Sequence, residues 1–200
     1  MIAIVDACSG NLRSVERALR HAGADARITR DPDIVRNADK IVVPGQGAFA
    51  MFMRGLAERG LEAPLRDAID RGTPLLGICL GLQVLFEHSD EGDVDGLGIF
   101  RGRVVRFAPS DPRLKVPHMG WNQVAVKQRV GGIAEGDFVY FVHSYHAVPE
   151  DESIVALEAT HGVPFCAAIR KDNVLACQFH PEKSQAIGLS ILKAFVEGAR

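Results

Sequence analysis

The chain has 200 residues, of which 47% are apolar and 24% are charged. This composition is that of an ordinary globular domain and excludes a disordered, fibrous or coiled-coil protein. Its 23 basic and 25 acidic residues give a formal charge of −2, so a strongly basic surface for nucleic acid is not expected. The apolar stretches are far shorter than a bilayer span, and the N-terminal segment lacks the basic region of a signal peptide. We therefore expect one domain over residues 1–200, located in the cytoplasm, that binds neither nucleic acid nor membrane.

Four cysteines stand at positions 8, 79, 166 and 177. No two of them have the C-x-x-C spacing of a zinc site, and disulfides are rare in the cytosol. We therefore expect neither a metal site nor a disulfide framework.

The first half of the sequence alternates predicted strands and helices. Apolar runs bounded by turn residues predict buried strands, and apolar residues at helical spacing predict the helices between them. This order predicts a parallel sheet with helices on both faces. The strands are expected over residues 2–5, 24–29, 40–43 and 73–78, and the helices after residue 11, after residue 31, and over residues 49–58, 61–70 and 80–86.

From Leu97 onward the pattern changes to short β-like runs separated by glycine, proline and aspartate. We expect antiparallel strands added to the parallel core, so the predicted fold class is α/β, a mostly parallel sheet flanked by helices with added antiparallel strands. An amphipathic helix is expected over residues 184–197, and the acidic loop at residues 89–96 is expected at the surface. The β-like runs cover residues 104–107, 121–126, 138–142, 153–159, 165–170 and 174–178.

The strongest local motif is Gly77-Ile78-Cys79-Leu80-Gly81, between a predicted buried strand and a predicted helix. It matches the G-x-S-x-G nucleophile elbow with cysteine in place of serine. The helix N-terminus favours the reactive thiolate, and the backbone N–H of Leu80 points to where an oxyanion would form. A buried cysteine packed between two glycines is the alternative, but the strand–helix setting favours a nucleophile.

A cysteine nucleophile needs a base, and His180 is the best placed of the seven histidines. It follows a predicted buried strand, and Pro181 keeps the backbone non-helical there, so that Glu182 can turn back and hold the imidazole in one tautomer. A surface His-Pro-Glu turn is the plainer interpretation of this segment alone, whereas the segment and Cys79 together predict a triad. Other histidines are expected at a helix end or at the surface: His21, His88 and His161.

A third motif, Pro44-Gly45-Gln46-Gly47, follows the third predicted strand. In a parallel sheet this loop lies at the same carboxyl edge as Cys79, where ligands bind. It can aim backbone N–H groups at an oxyanion, although an ordinary tight turn is the alternative. The three motifs together resemble the class I, triad-type glutamine amidotransferases.

Within that family the chain is similar, over nearly its whole length, to the glutaminase subunits of imidazole glycerol phosphate synthase. The elbow is shared with the anthranilate, GMP and carbamoyl-phosphate glutaminases, whereas Pro117-His118-Met119-Gly120-Trp121-Asn122 is specific to the histidine branch. The resemblance implies hydrolysis of L-glutamine to glutamate and ammonia without a cofactor. It also implies a heterodimer with a cyclase subunit, which uses the ammonia to make imidazole glycerol phosphate and AICAR in histidine biosynthesis. Other matching segments are residues 9–14, 115–122, 140–145 and 178–184.

The resemblance also assigns roles to individual residues. Cys79 would attack the amide, His180 would move the proton and Glu182 would orient His180. The backbone N–H groups of Gln46 and Leu80 would form the oxyanion hole, and Glu91 would hold the substrate ammonium. The substrate-binding positions are Gly45, Gln83, Glu91, Ser144 and Tyr145. The partner interface, with exposed aromatic anchors typical of binding hot spots, is expected at Asn11, Met119, Trp121, Asn122, Tyr140 and Lys183; the alternative for Trp121 is a core position.

Three positions depart from the family pattern. Gln46 replaces the usual valine, which leaves the conformation of its loop open, and Leu82 replaces methionine, a conservative packing change. Cys8 adds a thiol near the expected edge of the site, or is a small buried residue. Alternative functions are a glutaminase subunit of another class I amidotransferase, a non-catalytic regulatory subunit, or a cysteine peptidase. The intact triad argues against a regulatory subunit, and Trp121-Asn122 argues against another amidotransferase.

Overall fold

A computed structural model gives the fold of residues 1–8 and 11–198. Ser9 and Gly10 of the matching segment at residues 9–14 lie outside the described residues. The strands are β1 (Ile2–Val5), β2 (Ala26–Thr29), β3 (Lys40–Gly45), β4 (Leu75–Cys79), β5 (Phe86–Ser89), β6 (Val94–Asp95), β7 (Phe100–Arg106), β8 (His118–Gln123), β9 (Ala125–Val126), β10 (Phe138–His143), β11 (Tyr145–Pro149), β12 (Val155–Thr160), β13 (Pro164–Lys171) and β14 (Val174–Cys177). The α-helices are α1 (Leu12–His21), α2 (Pro32–Arg36), α3 (Phe49–Glu58), α4 (Glu62–Asp70), α5 (Leu80–Gln83) and α6 (Gln185–Glu197), with 3-10 turns at Glu152–Ile154 and Pro181–Lys183.

An eight-stranded sheet runs through the molecule in the order β2-β1-β3-β4-β14-β13-β12-β9. The first five strands in this order are parallel, and the last three are antiparallel to their neighbours. Strands β1 and β4 are buried along their whole length, as expected for parallel strands covered on both faces. The predicted fold class, a mostly parallel sheet with added antiparallel strands, is confirmed.

The second half differs from the prediction in how its strands pair. Strands β8 and β10 form a separate two-stranded antiparallel ribbon, and β11-β7-β5-β6 form a four-stranded sheet of their own. Strand β14 was expected to be antiparallel, but it is parallel to β4. The sequence pattern of a segment can predict that it forms a strand. It does not predict which strand it pairs with or in which direction, because tertiary packing decides both.

Helix α5 is shorter than predicted, because it covers Leu80–Gln83 instead of residues 80–86. The carbonyl groups of residues 84–86 accept hydrogen bonds from backbone N–H groups of residues 97–100. Residues 84–86 are fully buried, and such a short apolar run does not distinguish a helix from a strand. The helix therefore ends early, because the carbonyl groups of residues 84–86 bond to a distant segment and not to the next helical turn.

The sheet separates two hydrophobic cores. Successive residues of a central strand face opposite sides, so that Val42 packs with α1 and α6, whereas Val43 packs with α2, α3 and α4. Both faces of the parallel strands are thus covered, and functional side chains have room only at the strand ends. Within the described ranges, no helix combines the length and the apolar character that crossing a bilayer requires.

Candidate active site

Cys79 lies at the tight junction between β4 and α5. Its backbone has φ 56° and ψ −107°, a conformation that costs about 1–3 kcal/mol for a residue other than glycine and is typical of functional sites. A Cβ atom on Gly81 would lie 1.7 Å from the carbonyl oxygen of Val43, and one on Gly77 would lie 2.7 Å from the carbonyl oxygen of Gly81. The local geometry is that of a nucleophile elbow. With only four residues, α5 provides less of the helix-terminus field than the predicted seven-residue helix.

His180 and Glu182 follow β14, the strand that neighbours β4. The Nδ1 atom of His180 lies 2.9 Å from Oε1 of Glu182, and both side chains are almost completely buried. This contact fixes the tautomer of the neutral imidazole, because the carboxylate can only accept. The backbone at Pro181–Lys183 forms a 3-10 turn, where the prediction was non-helical. The missing N–H of proline is tolerated because it stands at the start of the turn.

The surroundings of His180 favour its protonated form. Burial would lower the pKa of this imidazole, but the neighbouring sulfur of Cys79 and the carboxylate of Glu182 together raise its pKa to about 9. Among the described residues, Nε2 of His180 has no hydrogen-bond partner of good geometry. The Cys79 sulfur is nevertheless close enough to raise the pKa of the imidazole, and Nε2 is available for proton transfer.

A cavity of about 310 Å³ adjoins the Cys79 thiol and His180. Its volume suits a small molecule. Its lining includes four of the five predicted substrate-binding residues: Gln83, Glu91, Ser144 and Tyr145. The fifth, Gly45, is the last residue of β3 and pairs with Cys79 across the sheet.

The loop after β3 begins later than predicted. Strand β3 continues through Pro44 and Gly45, which pair with Ile78 and Cys79 of β4. Gln46 then lines the cavity. The Sγ atom of Cys8 lies 3.6 Å from the carbonyl oxygen of Gln46, and burial raises the pKa of this thiol. The additional cysteine therefore lies at the edge of the site, as expected, and contacts the loop directly.

Sequence reasoning missed Gln178 as a site residue. Its side chain is fully buried, its Nε2 lies 3.6 Å from Sγ of Cys79, and its Oε1 lies 2.9 Å from Nε2 of Gln83. The available signal was an amide at the end of a buried strand, since a buried polar group requires a partner. Gln83, one of the predicted substrate-binding residues, is also buried.

Four histidines outside the triad surround Phe107 and form what we call the histidine cluster: His118, His143, His146 and His161. His161 was expected at the surface, but it is only 9% exposed and stacks on His118 with ring centroids 4.3 Å apart. His21 is exposed and His88 is half-buried. Within residues 1–8 and 11–198, no group of His, Cys, Asp and Glu side chains is arranged to hold a metal ion.

The predicted partner residues of the β8–β10 ribbon lie at the surface. Met119 is 63% exposed and Trp121 is 45% exposed, so a core position for Trp121 is excluded. The Trp121 ring lies 6.0 Å from the ring of Tyr140, and Nζ of Lys183 lies 5.9 Å from the centre of the Tyr140 ring. The other two interface candidates are an exposed residue and a half-buried one: Asn11 and Asn122.

The sequence profile of the family described as glutamine amidotransferase class-I matches residues 3–198. The chain therefore belongs to the class I glutamine amidotransferase family, and the resemblance inferred from its motifs is confirmed. It is 52% identical to "Imidazole glycerol phosphate synthase subunit HisH" of Geobacter sulfurreducens, over 98% of both chains. It is equally similar, over the same shares, to the subunit of that name from Syntrophotalea carbinolica. The protein is thus a glutamine amidotransferase enzyme of the HisH type.

Solved structures support the same fold. One described as "Crystal structure of glutamine amidotransferase" has a TM-score of 0.77 at 21% identity and covers 99% of both chains. Another, "Structure of PurLQS from Thermotoga maritima", has a TM-score of 0.75 at 18% identity, over 100% of this chain and 98% of that one. At these identities the similarity concerns the fold alone.

Proposed function

We propose that this protein hydrolyses L-glutamine to L-glutamate and ammonia at Cys79, as the glutaminase subunit of imidazole glycerol phosphate synthase in histidine biosynthesis. The observation that carries the proposal is the meeting, at one sheet edge, of Cys79, the buried His180–Glu182 pair and a cavity large enough for an amino acid. The similarity to HisH subunits supports the pathway. The match over residues 3–198 also supports one domain over residues 1–200, and we place that domain in the cytoplasm.

The proposed reaction begins when His180 takes the proton of the Cys79 thiol. The thiolate attacks the carbon of the glutamine side-chain amide, and a tetrahedral oxyanion forms. His180 then protonates the amide nitrogen, the C–N bond breaks, ammonia leaves and a thioester remains. Water, deprotonated by the same imidazole, hydrolyses the thioester and releases glutamate. Glu182 stabilises the imidazolium at each step, consistent with the raised pKa of His180.

Two backbone N–H groups are the proposed donors to the oxyanion. That of Leu80 belongs to the first residue of α5, where N–H groups have no partner within the helix. That of Gln46 belongs to a residue that lines the cavity. A backbone donor does not depend on the side chain, so glutamine in place of valine at position 46 is compatible with this role.

Glu91 is the proposed partner of the substrate ammonium. Its Oε2 accepts a hydrogen bond from the backbone N–H of Phe49 at 3.0 Å. This contact orients the carboxylate, so that its second oxygen can accept from the ammonium. Gln83, Ser144 and Tyr145 provide further polar groups around the same cavity.

We propose a cyclase subunit as the partner, docked on the β8–β10 ribbon in a heterodimer. Ammonia released into water at neutral pH is protonated and lost as a nucleophile, so a glutaminase benefits its acceptor only when docked. Exposed Met119 and Trp121 provide the apolar anchors. Lys183, which packs on Tyr140, directly follows Glu182, and docking there would reach the triad through few bonds.

Labelling tests the proposed chemistry. A glutamine analogue bearing an electrophile should modify Cys79, and a peptidyl electrophile should not. Cys8→Ser is the matched control and should be labelled at Cys79 as the unmodified protein is. Labelling by the peptidyl probe alone would indicate a cysteine peptidase.

Steady-state assays test the proposed partner. Glutaminase activity should be low in the isolated chain and should rise in the presence of the cyclase subunit and its nucleotide substrate. Trp121→Ala should weaken complex formation and activation, whereas Val148→Ala, an exposed apolar residue on β11, should not. Full activity of the isolated chain, or an unaffected Trp121→Ala variant, would contradict the docking proposal.

A further inference from the structure

A series of hydrogen bonds runs beneath the cavity and ends on the sulfur of Cys79. It is anchored at the backbone carbonyl oxygen of Tyr145, which can only accept. This oxygen lies 2.9 Å from Nε2 of Gln83 and 2.8 Å from Nδ1 of His143. Both side chains therefore present an N–H group to it, and the orientation of the Gln83 amide is fixed.

The orientation of Gln178 follows from that of Gln83. The Nε2 atom of Gln83 also lies 2.9 Å from Oε1 of Gln178, so Gln178 presents its acceptor to Gln83. Its donor, Nε2, is then directed to Sγ of Cys79 at 3.6 Å. Gln178 is fully buried, which excludes competition from solvent, and its backbone N–H is held by the carbonyl of Ala167 at 2.8 Å.

We propose that Gln178 is a further residue of the catalytic machinery and that its side-chain N–H stabilises the thiolate form of Cys79. The proposal rests on the proposed function, in which Cys79 is the nucleophile. A hydrogen bond to an ionised partner is stronger than one to a neutral partner, so this donor favours the thiolate over the thiol. An acceptor at the same position would have the opposite effect.

A second series of hydrogen bonds also ends at the backbone carbonyl of Tyr145. Because Nδ1 of His143 donates to that carbonyl, Nε2 of neutral His143 accepts from Nδ1 of His118 at 3.2 Å. Nε2 of His118 in turn accepts from Nδ2 of Asn122 at 3.2 Å. Each contact has one donor and one acceptor, so the arrangement is satisfied only while both histidines are neutral. Burial keeps them neutral, because it lowers the pKa of His143 to about 3 and that of His118 to about 4.

The position of Gln178 separates its role from substrate binding. Gln83 lines the cavity, whereas Gln178 does not. Loss of the Gln178 donor should therefore reduce kcat and leave the KM for glutamine unchanged. The other titratable groups around the site are His180, Glu182, Glu91 in the cavity and buried Cys177, and all of them remain in the variants below.

The test measures alkylation of Cys79 by iodoacetamide in the full chain, between pH 5.5 and 10, resolved by peptide mass spectrometry. In Gln178→Met and Gln178→Glu the rate at pH 7 should fall about tenfold, since a donor to an ionised group is lost. The midpoint of the profile should move to higher pH, and the limiting rate at high pH should persist. In the complex, kcat should fall by a similar factor with KM within about twofold. Gln128→Glu, which alters an exposed amide bonded to Ser153, should match the unmodified protein.

An unchanged midpoint in Gln178→Met would overturn the proposal, as would a change confined to KM. If the glutamine analogue fails to label Cys79 in the unmodified protein, the proposed function itself is wrong. This outcome differs from an unchanged alkylation profile, which would overturn only the role of Gln178. If the Gln178 variants do not fold, an NMR measurement on the protein with Gln178 intact still tests the proposal. The side-chain amide protons of ¹⁵N-labelled Gln178 should shift with the titration of Cys79 and should lose that shift in Cys79→Ala. Resonances that do not move with Cys79 would overturn the proposal.

Discussion

His180 and three members of the histidine cluster, His118, His143 and His146, are all buried, yet the pKa of His180 moves in the opposite direction to theirs. Burial lowers the pKa of His143 to about 3 and that of His118 to about 4. The same influence acts on His180, but Cys79 and Glu182 reverse it and raise the pKa to about 9. The hydrogen bonds of His118 and His143 go to neutral groups. The difference shows that the charge of a buried imidazole is decided by its partners more than by its burial.

Removing the sulfur of Cys79, the partner that raises the pKa of His180, should have the largest effect on activity. In Cys79→Ala or Cys79→Ser, glutamine-dependent synthesis by the complex should fall roughly 10³-fold or more, because the nucleophile is lost. Synthesis from added ammonium should survive, because that chemistry lies on the cyclase. Steady-state assays with each nitrogen source measure both activities. Loss of the ammonium-dependent activity as well would indicate that Cys79 is structural.

Neutralising the carboxylate should have the next largest effect. Glu182→Gln retains an acceptor for Nδ1 of His180 but removes the negative charge. We expect kcat to fall by about 10²-fold or more with little change in KM, because Glu182 stabilises the imidazolium that takes part in the reaction and is not assigned a contact with the substrate. The pKa of His180, followed by NMR titration, should fall in the same variant. A rise in KM at constant kcat would be inconsistent with this role.

The histidine cluster predicts an acid-labile fold. Three of its members, His118, His143 and His146, have lower pKa values in the folded state than the ordinary value of 6.5. The unfolded chain therefore binds more protons below that pH, and stability falls as the pH falls. For His143 alone the loss at pH 5 is about 2 kcal/mol. The raised pKa of His180 acts oppositely, since its contribution is complete below pH 6.5 and is lost as the pH rises through 9. Urea unfolding at pH 5, 6.5 and 9 measures both slopes, and equal stability at pH 5 and 6.5 would contradict the prediction.

Replacing one member of the histidine cluster should have a smaller effect, confined to the pH dependence of stability. His146 stacks on Phe107 with ring centroids 4.5 Å apart, and burial lowers its pKa. His146→Phe keeps an aromatic ring there and removes the titrating group, so the acid-side slope should decrease by up to about 1.4 kcal/mol per pH unit. The same urea series, run beside the unmodified protein, measures this slope. A slope as steep as that of the unmodified protein would exclude His146 from the acid response.

The sequence alone predicted the features of the fold and the site that depend on local contacts. Strands β1, β3 and β4 of the parallel core were predictable because each contains a continuous apolar run, and α3 was predicted to the residue. His180 and Glu182 stand two positions apart, so one turn brings them together. The cavity residues Gln83, Glu91, Ser144 and Tyr145 come from separate segments, and only the family resemblance assigned them to one site.

The features that were not predicted depend on contacts between distant segments. His161 was expected at the surface, but its ring is covered by His118 and Phe107. The end of α5 is set by pairing with residues 97–100. Gln178 acquires its significance only when β14 lies beside β4. Periodicity along one segment contains none of this information.

The crowding around the elbow has a consequence for how such a protein changes through evolution. Any side chain at Gly81 would collide with the backbone of β3, and any at Gly77 would collide with the backbone of Gly81. These two positions have no chemical role in the reaction, yet they are as closed to mutation as the nucleophile that they support. A saturation scan would register them as indispensable because space is lacking. Room for other side chains is left at the cavity wall, where Gln46 lies, while the turn beneath Cys79 stays fixed.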